Sequence, residues 1–324
     1  MAGESIFAFG ILAPLRGADM KRVLLGFILA SAFCLVIESG PVLADPPPAS
    51  PTGTASDPNR IMPDVGWWWS DTAKTGEASG RGYSIEANLS SGGGFFAAYV
   101  YNDDGKANWY YAILDGKSTS TETISQGFYG PFNITTSMSG TLSQASGGVT
   151  LGGPFKQSTG TSVGKITITF DSQTSGTITW PSAVTNRSTK IARYSVQYPT
   201  SRTILAPAAG TVPQNGWWYN TAESGRGYFI EVQGSQVFIA TYMYRPDGSA
   251  VWYFAGPTAM ATTSSVSSTT LYEVANGPTF SNPTVTNGAA TAAGSISMTF
   301  SDSKNGMISL NGGTPFAITR FTQF

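Results

Sequence analysis

Glu86 and Glu231 each close an Arg-Gly-Tyr-x-Ile-Glu run, and each has the opposite parity to the Tyr and Ile beside it. On a strand, successive side chains point to opposite faces, so these carboxylates leave the apolar face. A carboxylate in that position is either a general acid or base at a cleft or half of a structural ion pair. Arg193 and Arg320, near the ends of the two repeated units, are the expected partners of Glu86 and Glu231 within their own units. Arg81 and Arg226 open the same runs. They suit either a bidentate anion contact or stacking on Trp68 and Trp218. Asp103-Asp104 and Asp247 precede glycine in a turn signature, without the repeated oxygen ligands of a calcium loop.

The remaining inventory narrows the chemistry. There is no histidine, and the single cysteine, Cys34, lies near the N-terminus. Ser-His-Asp and Cys-His nucleophiles and His-ligated metals are therefore excluded. No catalytic residue, metal ligand or cofactor is assigned from the sequence. Charged residues make up 11% of the chain against a usual value of about 25%, and the net charge is -1. Such a surface offers no electrostatic footprint for nucleic acid.

Aromatic residues are the strongest signal, at 12%. Trp67, Trp68, Tyr99, Tyr101, Trp109 and Tyr110 recur as Trp217, Trp218, Tyr242, Tyr244, Trp252 and Tyr253. Adjacent rings such as Trp67 and Trp68 point to opposite faces of a strand, so one of each pair leaves the core or enters a second layer. If that layer is open, Trp and Tyr flanked by Asn, Ser and Thr suit stacking on a sugar ring or on a small apolar ligand. The candidate ligand-binding set is Trp68, Arg81, Glu86, Tyr101 and Trp109 in the first unit. In the second it is Trp218, Arg226, Glu231, Tyr244 and Trp252.

These residues sit in a duplicated cassette. Gly216-Trp217-Trp218 repeats Gly66-Trp67-Trp68, and Gly225-Arg226-Gly227-Tyr228 repeats Gly80-Arg81-Gly82-Tyr83. Late landmarks match too, with Ile318 and Arg320 answering Ile191 and Arg193. Strands of period two recur about every 8–12 residues with turn signals between them, which predicts an all-β chain. In the second unit they are expected at 216–219, 227–233, 236–244, 250–255, 268–274, 294–301, 306–310 and 316–321. In the first unit weaker strands are expected near 127–132, 137–142 and 149–154 among clearer ones. Short hairpins favour two tandem antiparallel up-and-down barrels of roughly eight strands, with a β-sandwich as the alternative. The expected division is a signal region at 1–44, a Pro/Ser/Thr spacer at 45–64, one unit at 65–197, a linker at 198–213 and a second unit at 214–324. The linker carries Pro199, Pro207 and Pro213, so the units are expected to be separable.

Met20-Lys21-Arg22, the apolar run from Val23 to Ile37 and Val42-Leu43-Ala44 have the layout of a secretory signal, with Met20 as the expected start and cleavage expected after Ala44. A secreted or periplasmic protein, with no stable membrane insertion once the signal is gone, is the expectation. The cassette resembles a repeat of secreted bacterial proteins, with the pattern GWW, ESGRGYxIE, YxYxxDGxxxWY and a closing ITRF. That resemblance implies a secreted accessory module and no established activity. In the first unit Glu77 stands one place further from its Gly-Arg step than Glu223 does. The GWWYN opening and the strand count are also similar to avidin-type barrels at the level of fold. Three function classes follow: a non-catalytic binding module for a neutral glycan or small apolar ligand, a structural or surface-interaction protein, and a carboxylate-based hydrolase.

Overall fold

The computed structural model describes residues 63–322 except 79, 88–92, 119–135, 197–202, 224 and 286–287. The described residues belong to one compact unit within Pro48–Phe324. The expected signal region, nearly all of the spacer and the strand expected near 127–132 lie outside them.

The chain forms two closed eight-stranded antiparallel barrels. The first contains β1 (Gly66–Ser70), β2 (Gly82–Ala87), β3 (Gly93–Tyr101), β4 (Ala107–Ser118), β5 (Thr136–Ser146), β6 (Thr159–Ser172), β7 (Ser175–Thr179) and β8 (Ser188–Arg193). A one-turn helix, α1 (Thr72–Thr75), follows β1. The second contains β9 (Gly216–Tyr219), β10 (Gly227–Gln233), β11 (Gln236–Tyr244), β12 (Ala250–Ala259), β13 (Ser265–Ala275), β14 (Ala289–Phe300), β15 (Asn305–Leu310) and β16 (Phe316–Arg320). Each strand pairs with its neighbours in sequence, and the last closes on the first. Arg193 lies opposite Trp68 and Arg320 opposite Trp218. Closure leaves no sheet edge, which is how an up-and-down barrel of short hairpins satisfies its backbone.

Alternation sets what fills each barrel. In β2, Tyr83 and Ile85 point inward and join Trp68, Phe96, Leu114, Leu142 and Phe170 in one packed cluster. In β15 only the even positions Gly306, Ile308 and Leu310 are buried. Trp68 meets Phe170 at 5.6 Å in the first barrel and Trp218 meets Phe300 at 5.2 Å in the second, so the inner tryptophans occupy equivalent places. An eight-stranded barrel is narrow enough for such side chains to fill it.

Two strands break the half-buried pattern. All 9 residues of β3 and all 7 of β10 are buried, so both faces of these strands are covered. The covering layer is the other barrel. The hairpin turns behave as their sequences imply: Asp104 accepts a hydrogen bond from the Lys106 amide at 3.1 Å, and Asp247 accepts one from the Ser249 amide at 2.8 Å.

One expected strand is not in the wall. Residues 147–158 form an arm between β5 and β6, and Thr150 makes an isolated bridge to Tyr244 of the second barrel. The Gly147-Gly148 and Gly152-Gly153 pairs bracket Val149–Leu151 and let the chain leave the sheet. The matching connection in the second barrel, described over residues 276–285, is also an arm, and it reaches back to the first: the Asn276 amide donates to the Gly105 carbonyl at 2.7 Å.

Candidate functional site

The ten candidate residues are all buried. Trp68 and Trp218 lie inside their barrels, while Tyr101, Trp109, Tyr244 and Trp252 lie in the seam between them. Across the seam Trp67 packs on Phe229 at 4.8 Å and Phe238 at 5.2 Å, and Trp217 packs on Phe95 at 4.5 Å. Trp109 meets Tyr242 at 5.0 Å, and Trp252 meets Tyr101 at 5.7 Å. The indole N–H of Trp109 donates to the Met243 carbonyl, and that of Trp252 donates to the Val100 carbonyl, both at 3.1 Å. Trp109 and Trp252 each find an aromatic neighbour for the ring and an acceptor for the N–H, which favours their burial, whereas the Trp217 indole N–H is buried without an acceptor.

Glu86 and Glu231 face this seam, and their pairing corrects the expectation of an ion pair within each unit. Arg193 Nη2 of the first barrel donates to Glu231 Oε1 of the second at 2.5 Å, and Nη1 reaches Oε2 at 3.3 Å. Arg320 Nη2 of the second barrel donates to Glu86 Oε1 of the first at 2.5 Å, with Nη1 3.2 Å from Oε2. Backbone amides complete each clasp. Trp67 N–H donates to Glu231 Oε2 at 2.5 Å, and Trp217 N–H donates to Glu86 Oε2 at 3.0 Å. Gln233 adds a donor to Glu231 at 2.8 Å. The crossing has a simple cause. Glu86 and Glu231 project outward from β2 and β10, and the outward side of each of these strands faces the neighbouring barrel.

The clasp also explains the glycine that opens each Gly-Trp-Trp run. Gly66 has φ +151° and Gly216 has φ +129°, values that side-chain-bearing residues rarely adopt. A Cβ at Gly66 would collide with Arg193 and Glu231, and one at Gly216 with Glu86 and Arg320.

Neither glutamate opens onto solvent: Glu86 is 6% exposed and Glu231 1%. Burial pushes the Glu86 carboxyl above its usual range, against the downward pull of Arg320 and the Trp217 amide. Each carboxylate is buried and tied to an arginine fork and a backbone amide of the other barrel, so the arrangement holds the two barrels together.

Arg81 and Arg226 also depart from expectation. Arg81 lies over the Phe280 ring at 4.8 Å, and Arg226 over the Phe316 ring at 4.7 Å, rather than on Trp68 and Trp218. Phe280 belongs to the arm of the second barrel and packs on Trp180 of the first at 4.9 Å. Arg81 pairs with Glu77 and Arg226 with Glu223, so the one-residue offset between the units is absorbed without losing the pair. The arm residues Phe280 and Leu151 were missed from sequence. Their only signal is the weak match of Gly148-Val149-Thr150-Leu151 to Gly277-Pro278-Thr279-Phe280.

No family model, curated protein or solved structure matches the chain. The residues themselves therefore carry the functional argument. Among the described residues no group of three or more Asp, Glu, His or Cys is placed to hold a metal ion, and no helix is long and apolar enough to cross a membrane. On the second barrel an open groove of about 270 Å³ is lined by Val266, Met298, Met307 and Pro315 together with Ser265, Ser267, Ser297, Thr299 and Ser309.

The buried tyrosines make a prediction about alkali. Burial raises the Tyr99, Tyr101, Tyr228, Tyr242 and Tyr244 hydroxyls far above their ordinary value of 10.0. Below pH 10 these groups are neutral in both folded and unfolded chains, and their contribution is intact. Above it the unfolded chain loses protons that the folded chain keeps, so stability falls as pH rises from about 10. A spectrophotometric titration should show these tyrosines ionising together with unfolding, in one step. Smooth ionisation of every tyrosine near pH 10 in a folded protein would contradict their burial.

Proposed function

We propose that the chain is a non-catalytic structural and surface-interaction module, exported and then folded as a rigid double barrel. The observation that supports this reading is the placement of the candidate set: all ten side chains are buried, in the barrel interiors, in the seam, or in the arginine contacts of Arg81 with Glu77 and Phe280 and of Arg226 with Glu223 and Phe316. The rings that a stacking site would need at a surface are the rings that join the barrels. The carboxylates that a hydrolase would need are held in clasps. What such a module presents to its surroundings is its outer wall, rich in Ser and Thr.

The groove around Met307, lined by apolar and hydroxyl side chains, supports a second reading, in which a neutral glycan or small apolar ligand rests on that wall and not on the Trp/Tyr rows. Both readings are tested on the exported protein, whose N-terminus is expected at Asp45. Calorimetric titration with neutral oligosaccharides and small apolar compounds is expected to give no saturable heat. Saturable heat lost in Met307→Lys would select the groove. Saturable heat lost in Trp252→Phe, at an unchanged melting temperature, would overturn the structural reading in favour of binding through the rings.

A further inference from the structure

The clasps, the indole bonds and the arm contacts across the seam come in pairs with the roles exchanged. Glu231 on Arg193 is matched by Glu86 on Arg320, and Trp67 N–H on Glu231 by Trp217 N–H on Glu86. The Trp109 indole on the Met243 carbonyl is matched by the Trp252 indole on the Val100 carbonyl. The arms follow the same rule. The Gly147 amide donates to the Gly248 carbonyl at 2.8 Å, and the Asn276 amide to the Gly105 carbonyl at 2.7 Å. Gly148 lies against the Tyr244 ring and Gly277 against the Tyr101 ring, each so closely that a Cβ would collide. In a two-fold interface residue i of one partner meets residue j of the other, and j meets i. The two barrels satisfy that relation within one chain.

We infer that each barrel carries a self-complementary docking face, and that the partner it fits is a second copy of this chain. In that pairing, the first barrel of one chain docks on the second barrel of another, and both clasps and both arms re-form in trans. No new contact is needed, because a barrel on a neighbouring chain presents the same socket of arginine fork and tryptophan amide, and the same glutamate plug. Within one chain the linker raises the effective concentration of the cis partner to about the millimolar range, so the closed single chain prevails when dilute. Chains exchange barrels when they are concentrated or when the cis clasp is spoiled. This rests on the seam geometry, and it goes beyond the structural reading by naming the partner.

Complementary charge reversal tests it on full-length chains. Glu231→Arg faces Arg193 with a like charge in cis, and Arg193→Glu does the same to Glu231. Each variant alone has one spoiled clasp. Mixed, the two chains can pair so that Arg193 of one meets Glu231 of the other, while the reversed residues meet each other in the second seam. The expected result is a species of doubled mass by light scattering, absent or scarce in either variant alone, with a melting temperature above both. A mixture that elutes as the sum of its two parents overturns the inference. Where the variants do not fold alone, wild-type chain carries the test. Isotopically light and heavy chains refolded together at high concentration are expected to give dimers of mixed mass when weighed at that concentration. Wild-type chain that refolds as monomer at every concentration overturns the inference equally.

Discussion

Replacing Glu231 with alanine is expected to lower the stability of the chain by about 3–5 kcal/mol, the cost of removing one partner from a buried pair. The physical reason lies on the other side of the seam. Arg193 keeps its charge with its side chain only 3% exposed, and the Trp67 amide loses its acceptor. An exposed pair would lose about 0–1 kcal/mol instead. The damage therefore falls on the first barrel although the substitution is in the second. Glu86→Ala should mirror it through Arg320. Glu231→Gln should cost less than Glu231→Ala, because the amide oxygen still accepts from Trp67. Denaturant unfolding followed by tryptophan fluorescence measures all three. A loss below about 1 kcal/mol for Glu231→Ala would mean that the clasp is open to water.

The second large effect is expected at Trp217. It is 1% exposed, with Phe95, Phe229 and Tyr242 at 4.5, 5.1 and 5.3 Å. Trp217→Ala should cost about 3–5 kcal/mol, as large-to-small changes at buried aromatics do. The informative comparison is with Trp218→Ala, one residue along, which empties the barrel interior. If the seam is packed as tightly as the core, the two losses are similar. If Trp217 stood on an outer wall, truncation would change stability by no more than about 0.5 kcal/mol. Thermal unfolding of the pair decides it, and a nearly neutral Trp217→Ala would refute a buried seam.

Much of this architecture was legible in the sequence. The limits expected for β9, β10 and β11 are those observed, because each strand alternates cleanly between turn residues of fixed chemistry. The up-and-down barrel followed from short hairpins, and the opposed faces of Trp67 and Trp68 implied a second layer. What alternation does not carry is the identity of the layer. Parity shows that Glu86 leaves the core but not which arginine it meets. Duplication makes Arg193 and Arg320 equivalent in sequence, so pairing within a unit and pairing across units look the same. Cations over Phe280 and Phe316 were out of reach for a similar reason. Phe280 is contributed by an arm whose sequence, rich in Gly, Pro and Thr, reads as loop or weak strand, and the stretch at 149–154 reads as a weak strand for the same reason. The expectation of separable units rested on the linker prolines. The described part of that linker is tied to the second barrel through the Ala206 carbonyl and Ala208 amide on Gly234, and the seam leaves large apolar faces for either unit to expose alone.

A double-mutant cycle on Arg193 and Glu231 tests the crossed clasp most directly. Alanine at each position and at both, each measured by denaturant unfolding, isolates the energy that the pair shares. The predicted coupling is on the order of 0.5–3 kcal/mol for Arg193 with Glu231, and additivity within about 0.5 kcal/mol for Arg320 with Glu231. The opposite outcome, coupling between Arg320 and Glu231 and additivity between Arg193 and Glu231, would place each carboxylate in its own barrel and contradict the joined pair.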